Sequence, residues 1–231
     1  MRIAPVEDRA LVRLIPATHH KPPALRGLVD TDEEMAVLAE VEGLTSARLI
    51  AERGRSAHLD RRELAWARRA HDLQVYGITH VNAAFSYTRK GGNRFNDETR
   101  GAWYCSWESL TSLAEVGFHR TRELAYVGVF EDEARYVELL ADFIGDFPDI
   151  GDEPGHPALD ADPALGYREG QALARALRRE GHRALVYPSV RRPGGRCLVA
   201  FDPAIVQNVR PAASWDLVWH GSPDYDVIGV A

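Results

Sequence analysis

The chain has only two cysteines, Cys105 and Cys197, far apart and at no metal-ligand spacing. A disulfide framework is excluded, a single bridge stays open, and two thiols in so long a chain suit a reducing cytoplasm. No apolar stretch approaches the ~20 residues that a membrane-spanning helix needs. The opening residues, with Glu7 and Asp8, lack the basic start and apolar centre of a secretory signal. Positive charge is not in excess either. The formal net charge is −6, so the surface as a whole repels nucleic acid and anionic membranes. The densest basic segment, with Arg61, Arg62, Arg68 and Arg69, is interrupted by Glu63 and Asp72, the pattern of a solvated helix face. There is no Gly-rich phosphate loop followed by Lys and Ser or Thr, no G-x-S-x-G turn and no paired-His zinc motif. The His19-His20 doublet lies in a Pro-flanked loop and does not suggest a metal site; no metal is expected. No internal repeat is present.

What remains is the composition of a soluble globular protein: 231 residues, 45% hydrophobic and 27% charged. Leu11 to Ile15 reads as a short strand ended by Pro16. Thr31 and Glu34 fit a capping box before the helically spaced Met35, Leu38, Val41 and Leu44. Leu49 with Ile50, and Leu64 with Ala67, suggest two further helices. Val81 to Tyr87 reads as extended, and Lys90-Gly91-Gly92-Asn93 is a strong turn signal. Ala102 to Cys105 suggests a strand, followed by a helix with Leu110, Leu113, Ala114, Gly117 and Phe118 on its apolar face. Leu124 to Phe130 and Tyr136 to Phe143 read as strands, and Gly145 to Pro163 as an acidic lid or unstructured connection. A helix over Gln171 to Glu180 is closed by Gly181, and three strands are expected at Ala184–Tyr187, Cys197–Phe201 and Trp215–Trp219. Helices and strands mix without alternation, which predicts an α+β fold.

Three segments could carry chemistry. In Gly91-Gly92-Asn93-Arg94-Phe95-Asn96 a turn presents an arginine between two asparagines. A guanidinium placed so can grip a phosphate through two parallel bonds, although surface arginines also occur in such turns. On the helix after Tyr104, Glu115 lies off the apolar stripe, on the side of Glu108, Thr111, His119 and Arg122. Spacing of four also suits a plain surface pair between Glu115 and His119. In Tyr187-Pro188-Ser189-Val190-Arg191-Arg192-Pro193-Gly194-Gly195, Ser189 leaves a strand end, where site residues are displayed. A serine there also serves to bond its own turn.

Together these segments resemble the RES domain, a family named for an Arg, a Glu and a Ser. The resemblance rests on Gly91 to Asn96, Trp103-Tyr104, Leu113-Ala114-Glu115 and Tyr187 to Arg191, with Val81 to Phe85 similar to one branch of the family. Tyr104 lies ten residues after Arg94, and Glu115 eleven after Tyr104. On this resemblance residues 1–231 form a single RES-type domain, with 78–219 as the matching part and 27–76 as a helical insertion. The resemblance implies an ADP-ribosyltransferase-like mixed β core with flanking helices. It implies that NAD is the substrate and that its nicotinamide–ribose bond is cleaved by hydrolysis or phosphorolysis. It also implies the role of a toxin restrained by an Xre-type antitoxin. By the same resemblance Arg94 contacts the dinucleotide, Tyr104 packs near its nicotinamide end, and Glu115 and Ser189 act at the reacting ribose. Arg13, in Val12-Arg13-Leu14, resembles an additional substrate-binding arginine. The chain departs from compact members in one respect: roughly eighty residues separate Arg13 from Arg94. ADP-ribose transfer to a protein acceptor and a non-catalytic nucleotide-binding module stand as the alternatives. Direct contact with nucleic acid or a membrane is not expected, and pairing with a second copy of the chain is left open.

Overall fold

The computed structural model describes residues 1–20, 31, 34, 41, 44–64 and 76–230. Met35, Leu38, Ala67, Arg68 and Arg69 lie outside them. The strands are β1 (Arg2–Pro16), β2 (Trp103–Ser106), β3 (Glu131–Asp149), β4 (Ala184–Pro188), β5 (Arg196–Ala200), β6 (Gln207–His220) and β7 (Tyr225–Val230). Among the helices are α1 (Ala47–Glu52), α2 (Ile78–Ser86), α3 (Ser109–Val127) and α4 (Pro163–Arg179). The fold is mixed α+β.

The strands bond in the order β1-β2-β5-β4-β3-β6-β7, and β1 also pairs antiparallel with β3 along most of its length. Five strands therefore close a ring from which β6 and β7 extend. The ring has two narrow joints, Val12↔Ser106 between β1 and β2 and Asp149↔Val186 between β3 and β4. The first joint sets Arg13, one residue beyond Val12, beside β2. β4 and β5 are unbroken apolar runs because both faces of this part of the sheet are covered. Ala184, Val186, Leu198 and Ala200 point into one cluster with Leu11, Phe85 and Trp103. Leu185, Tyr187, Cys197 and Val199 point into another, with Phe95 and Leu177.

Several expectations hold. The Thr31–Glu34 capping box forms through reciprocal 3.2 Å bonds. Gly91 and Gly92 take φ of +77° and +69° in the expected turn. Gly181 follows the last turn of α4, its N–H bonded to Arg178 O while His182 N–H reaches Leu177 O, which is a Schellman closure. Both cysteines are free and buried.

Others are corrected. Val81 to Tyr87 is not extended: Ile78 to Ser86 is helix α2, with Val81 and Phe85 buried four apart on one face. A short apolar run fits either period, and the Phe85 contact with the core decides for the helix. Leu124 to Phe130 is not a strand either. Its first residues finish α3, Gly128 ends the helix at φ +77°, and β3 begins at Glu131. Leu110 is not on the buried face of α3 but 54% exposed. Thr111 and Ser112 take its place, their hydroxyls satisfied by Arg192 and by Val12 O. The stretch Gly145 to Pro163 is ordered: β3 runs to Asp149, and Ile150, Ala158 and Leu159 are buried in the second cluster. The helix expected from Gln171 starts earlier, at Pro163, where the Asp162 side chain accepts from Ala164 N–H.

In the block 27–76, the described residues Ala51, Leu59 and Leu64 share the buried cluster of Leu11 and Trp103. Arg100 ties this block to the sheet, pairing with Glu63 and donating to Phe201 O.

Candidate active site

A cleft of about 230 Å³ opens between α3, the glycine turn, α4 and the edge of β2, β4 and β5. Its walls include Arg13, Arg94, Tyr104, Glu115, His119, Tyr167 and Arg191. Four of the five residues expected at a site therefore line one hollow, and the fifth, Ser189, touches it through Glu115.

The carboxylate is held from behind. Ser189 Oγ donates to Glu115 Oε1 at 2.7 Å. Ser189 Oγ itself accepts from Arg191 N–H and Arg192 N–H, both at 3.1 Å. Ser189 thus does both things the sequence left open, bonding its own turn and meeting the glutamate. Burial raises the Glu115 carboxyl above its ordinary value, against the lowering pull of Ser189, Arg191 and Arg94.

The glycine turn is fixed by its own polar groups. Asn93 N–H donates to Asn96 O at 2.8 Å, and Gln171 on α4 donates to the carbonyls of Gly91 and Asn93. A Cβ on Gly92 would lie 2.2 Å from Asn96 O, so the turn closes only with glycine there. The Tyr104 hydroxyl clamps the turn, accepting from Phe95 N–H and donating to Asn96 Oδ1, each at 2.9 Å. Its ring is left as wall of the cleft.

Arg94 is only 6% exposed. One terminal nitrogen donates to Ala158 O at 2.6 Å and to Asp160 O at 2.8 Å, and the guanidinium lies 5.5 Å from the Tyr167 ring centre. The acidic stretch expected to be a lid is instead the seat of Arg94. Gly166 and Gly170 let α4 close on it, since a Cβ on either would sit within 2.3 Å of an Arg94 atom.

Arg13 reaches the same cleft despite its distance in sequence. Its Nη1 donates to Tyr104 O at 3.3 Å, and its guanidinium lies 4.8 Å from the Trp103 ring centre. Burial pulls its pKa down to about 10, so it stays cationic near neutrality.

Two further residues of the cleft, His119 and Tyr167, were not expected there. His119 was set beside Glu115 as a surface pair, but both line the cleft. Burial, followed by the guanidiniums of Arg89, Arg122, Arg191 and Arg94, pushes its pKa down to about 3. For Tyr167 the available signal was its place between Gly166 and Gly170, two small residues four apart.

The cleft therefore sets one carboxylate among several guanidiniums, in a protein whose net charge is −6. The guanidiniums suit a ligand that carries negative charge. The RES-domain family model matches residues 66–220, more than half of the chain. The chain belongs to the RES-domain family. The match begins before the segment 78–219, inside the block 27–76. It contains Arg94, Tyr104, Glu115 and Ser189 and leaves Arg13 outside. RES domains are associated with NAD-acting enzymes. No curated protein matches the chain. Among the described residues no group of three or more His, Cys, Asp or Glu could hold a metal ion, and no helix is long and apolar enough to cross a membrane.

Proposed function

We propose that this RES protein cleaves the bond between nicotinamide and ribose in NAD, passing the ADP-ribosyl group to water or phosphate. The observation that carries the reading is the convergence of Glu115 with Arg13, Arg94 and Arg191 on one cleft. Breaking this bond leaves positive charge on the ribose while nicotinamide departs neutral. The useful catalyst is a fixed negative group at the ribose together with positive groups at the pyrophosphate.

Glu115 supplies the first. Oε1 is engaged by Ser189, and the second oxygen accepts from a ribose hydroxyl, in a bond that strengthens as charge develops. Ser189 is a positioning residue, because its only proton is committed to the carboxylate. Arg94, Arg191 and Arg13 hold the phosphates, and the rings of Tyr104 and Tyr167 supply flat walls, of which Tyr104 faces the cationic pyridinium. No step on this reading calls for a metal. NAD is thus the substrate, the setting is the cytoplasm, and an Xre-type antitoxin covering the cleft is the partner this reading implies.

Incubation of the purified protein with NAD labelled in its ADP-ribose part tests the reading. Free nicotinamide and a small labelled product are expected, with phosphate altering the product if phosphorolysis operates. Label bound to protein would assign the chain to ADP-ribose transfer. Intact NAD would favour a binding module.

A further inference from the structure

His119 lines the cleft one helical turn beyond Glu115 on α3, and the roles proposed for Glu115, Ser189 and the arginines leave it unused. Its Nδ1 lies 3.4 Å from Arg89 Nη2. A guanidinium has only donors, so Nδ1 must accept and the ring proton must reside on Nε2. Arg89 is itself anchored, its Nε donating to Gly92 O at 3.1 Å. The glycine turn thus fixes Arg89, and Arg89 fixes the tautomer of His119. A second proton is disfavoured by burial first, and then by the positive charge of Arg89, Arg122, Arg191 and Arg94. The imidazole is neutral, with a single N–H to give.

We propose that His119 binds substrate, donating its Nε2–H to a pyrophosphate oxygen in the cleft whose wall it shares with Arg94 and Arg191. This rests on the NAD reading above and deepens it. A neutral donor adds direction to a cleft already lined by Arg13, Arg94 and Arg191, without adding a further cation.

The position of the proton makes the test decisive. Asparagine can place an amide near Nδ1, keeping an acceptor for Arg89 but nothing at Nε2. Glutamine can place an amide near Nε2. ADP-ribose, which carries the pyrophosphate without nicotinamide, is the probe, titrated calorimetrically into wild type, H119N and H119Q. H119N is expected to weaken binding roughly tenfold, the scale of one lost hydrogen bond to a charged group. H119Q recovers most of the affinity, and the KM for NAD follows the same order with a smaller change in kcat. Unchanged ADP-ribose affinity in H119N would overturn the proposal, as would loss in H119Q together with full binding in H119N, which marks a residue that merely holds Arg89. Wild-type protein that binds neither NAD nor ADP-ribose at millimolar concentration would overturn the NAD reading itself, and this proposal with it.

Discussion

Ser189 gives its only hydroxyl proton to Glu115 across 74 residues of chain. Both of its lone pairs are taken by the backbone N–H groups of Arg191 and Arg192. The hydroxyl therefore has one orientation, and the carboxylate inherits it. Removing the carboxylate in E115A should lower NAD turnover by at least ~100-fold, as for loss of a preorganised electrostatic group. Steady-state rates of nicotinamide release check this.

Ser189→Ala should leave the carboxylate in place but unanchored. Turnover is expected to fall about tenfold, less than in E115A, since one hydrogen bond to a charged group is lost. The bond lowers the Glu115 pKa, so its removal should move the acid limb of the kcat profile to higher pH. An acid limb unchanged in S189A would show that the bond does not tune the carboxylate.

The pH dependence of the wild type follows from the same group. In the proposed reaction Glu115 acts ionised, and burial holds its pKa above the ordinary carboxylate value. Activity should fall as pH drops through that raised value, earlier than for an exposed glutamate. The sign for stability is opposite. A carboxyl whose pKa is higher in the folded state favours folding below its unfolded pKa, and that gain is lost as pH rises through the folded one. E115Q should therefore melt no lower than wild type at neutral pH while losing turnover. A clear drop in its Tm would mark Glu115 as structural.

Arg94 carries two duties that should separate in measurement. R94A removes a cation from the cleft and leaves Ala158 O and Asp160 O without their donor. A raised KM for NAD is expected together with a stability loss of roughly 1–3 kcal/mol. Titration with NAD and denaturant unfolding check the two parts.

Gly170→Ala should test the seat of Arg94 without touching its charge. The new Cβ would lie 2.2 Å from Arg94 O, a clash with backbone that neither α4 nor the glycine turn can relieve cheaply. A loss of about 1–3 kcal/mol, the range for overpacking, is expected in thermal or denaturant melts. A fully stable G170A would mean that α4 does not press on the turn.

The residues that the structure gathers at the cleft were easier to pick from the sequence than the scaffold around them. Gly91, Gly92 and Asn93 announce their turn because only certain backbone angles allow it. Arg94, Tyr104, Glu115 and Ser189 were legible through their order and spacing. Arg13 rested on three residues, and only the pairing of Val12 with Ser106 brings it beside β2. The helix at Ile78–Ser86 was hidden, since the apolar residues of so short a segment are too few to tell one period from the other. The role of residues 150–160 was hidden for another reason. Their carbonyls, not their side chains, hold Arg94, and every residue has a carbonyl. His119 was visible as a neighbour of Glu115, but its tautomer depends on Arg89, thirty residues away.

On the proposed function, the carboxylate on α3 and the guanidiniums that line the same cleft cleave NAD there. The most direct measurement is nicotinamide release from NAD by wild type and E115Q, side by side at neutral pH and below both melting temperatures. The account predicts release by wild type and at least ~100-fold less by an equally folded E115Q. Equal rates in the two proteins, or no release by folded wild type, would contradict it.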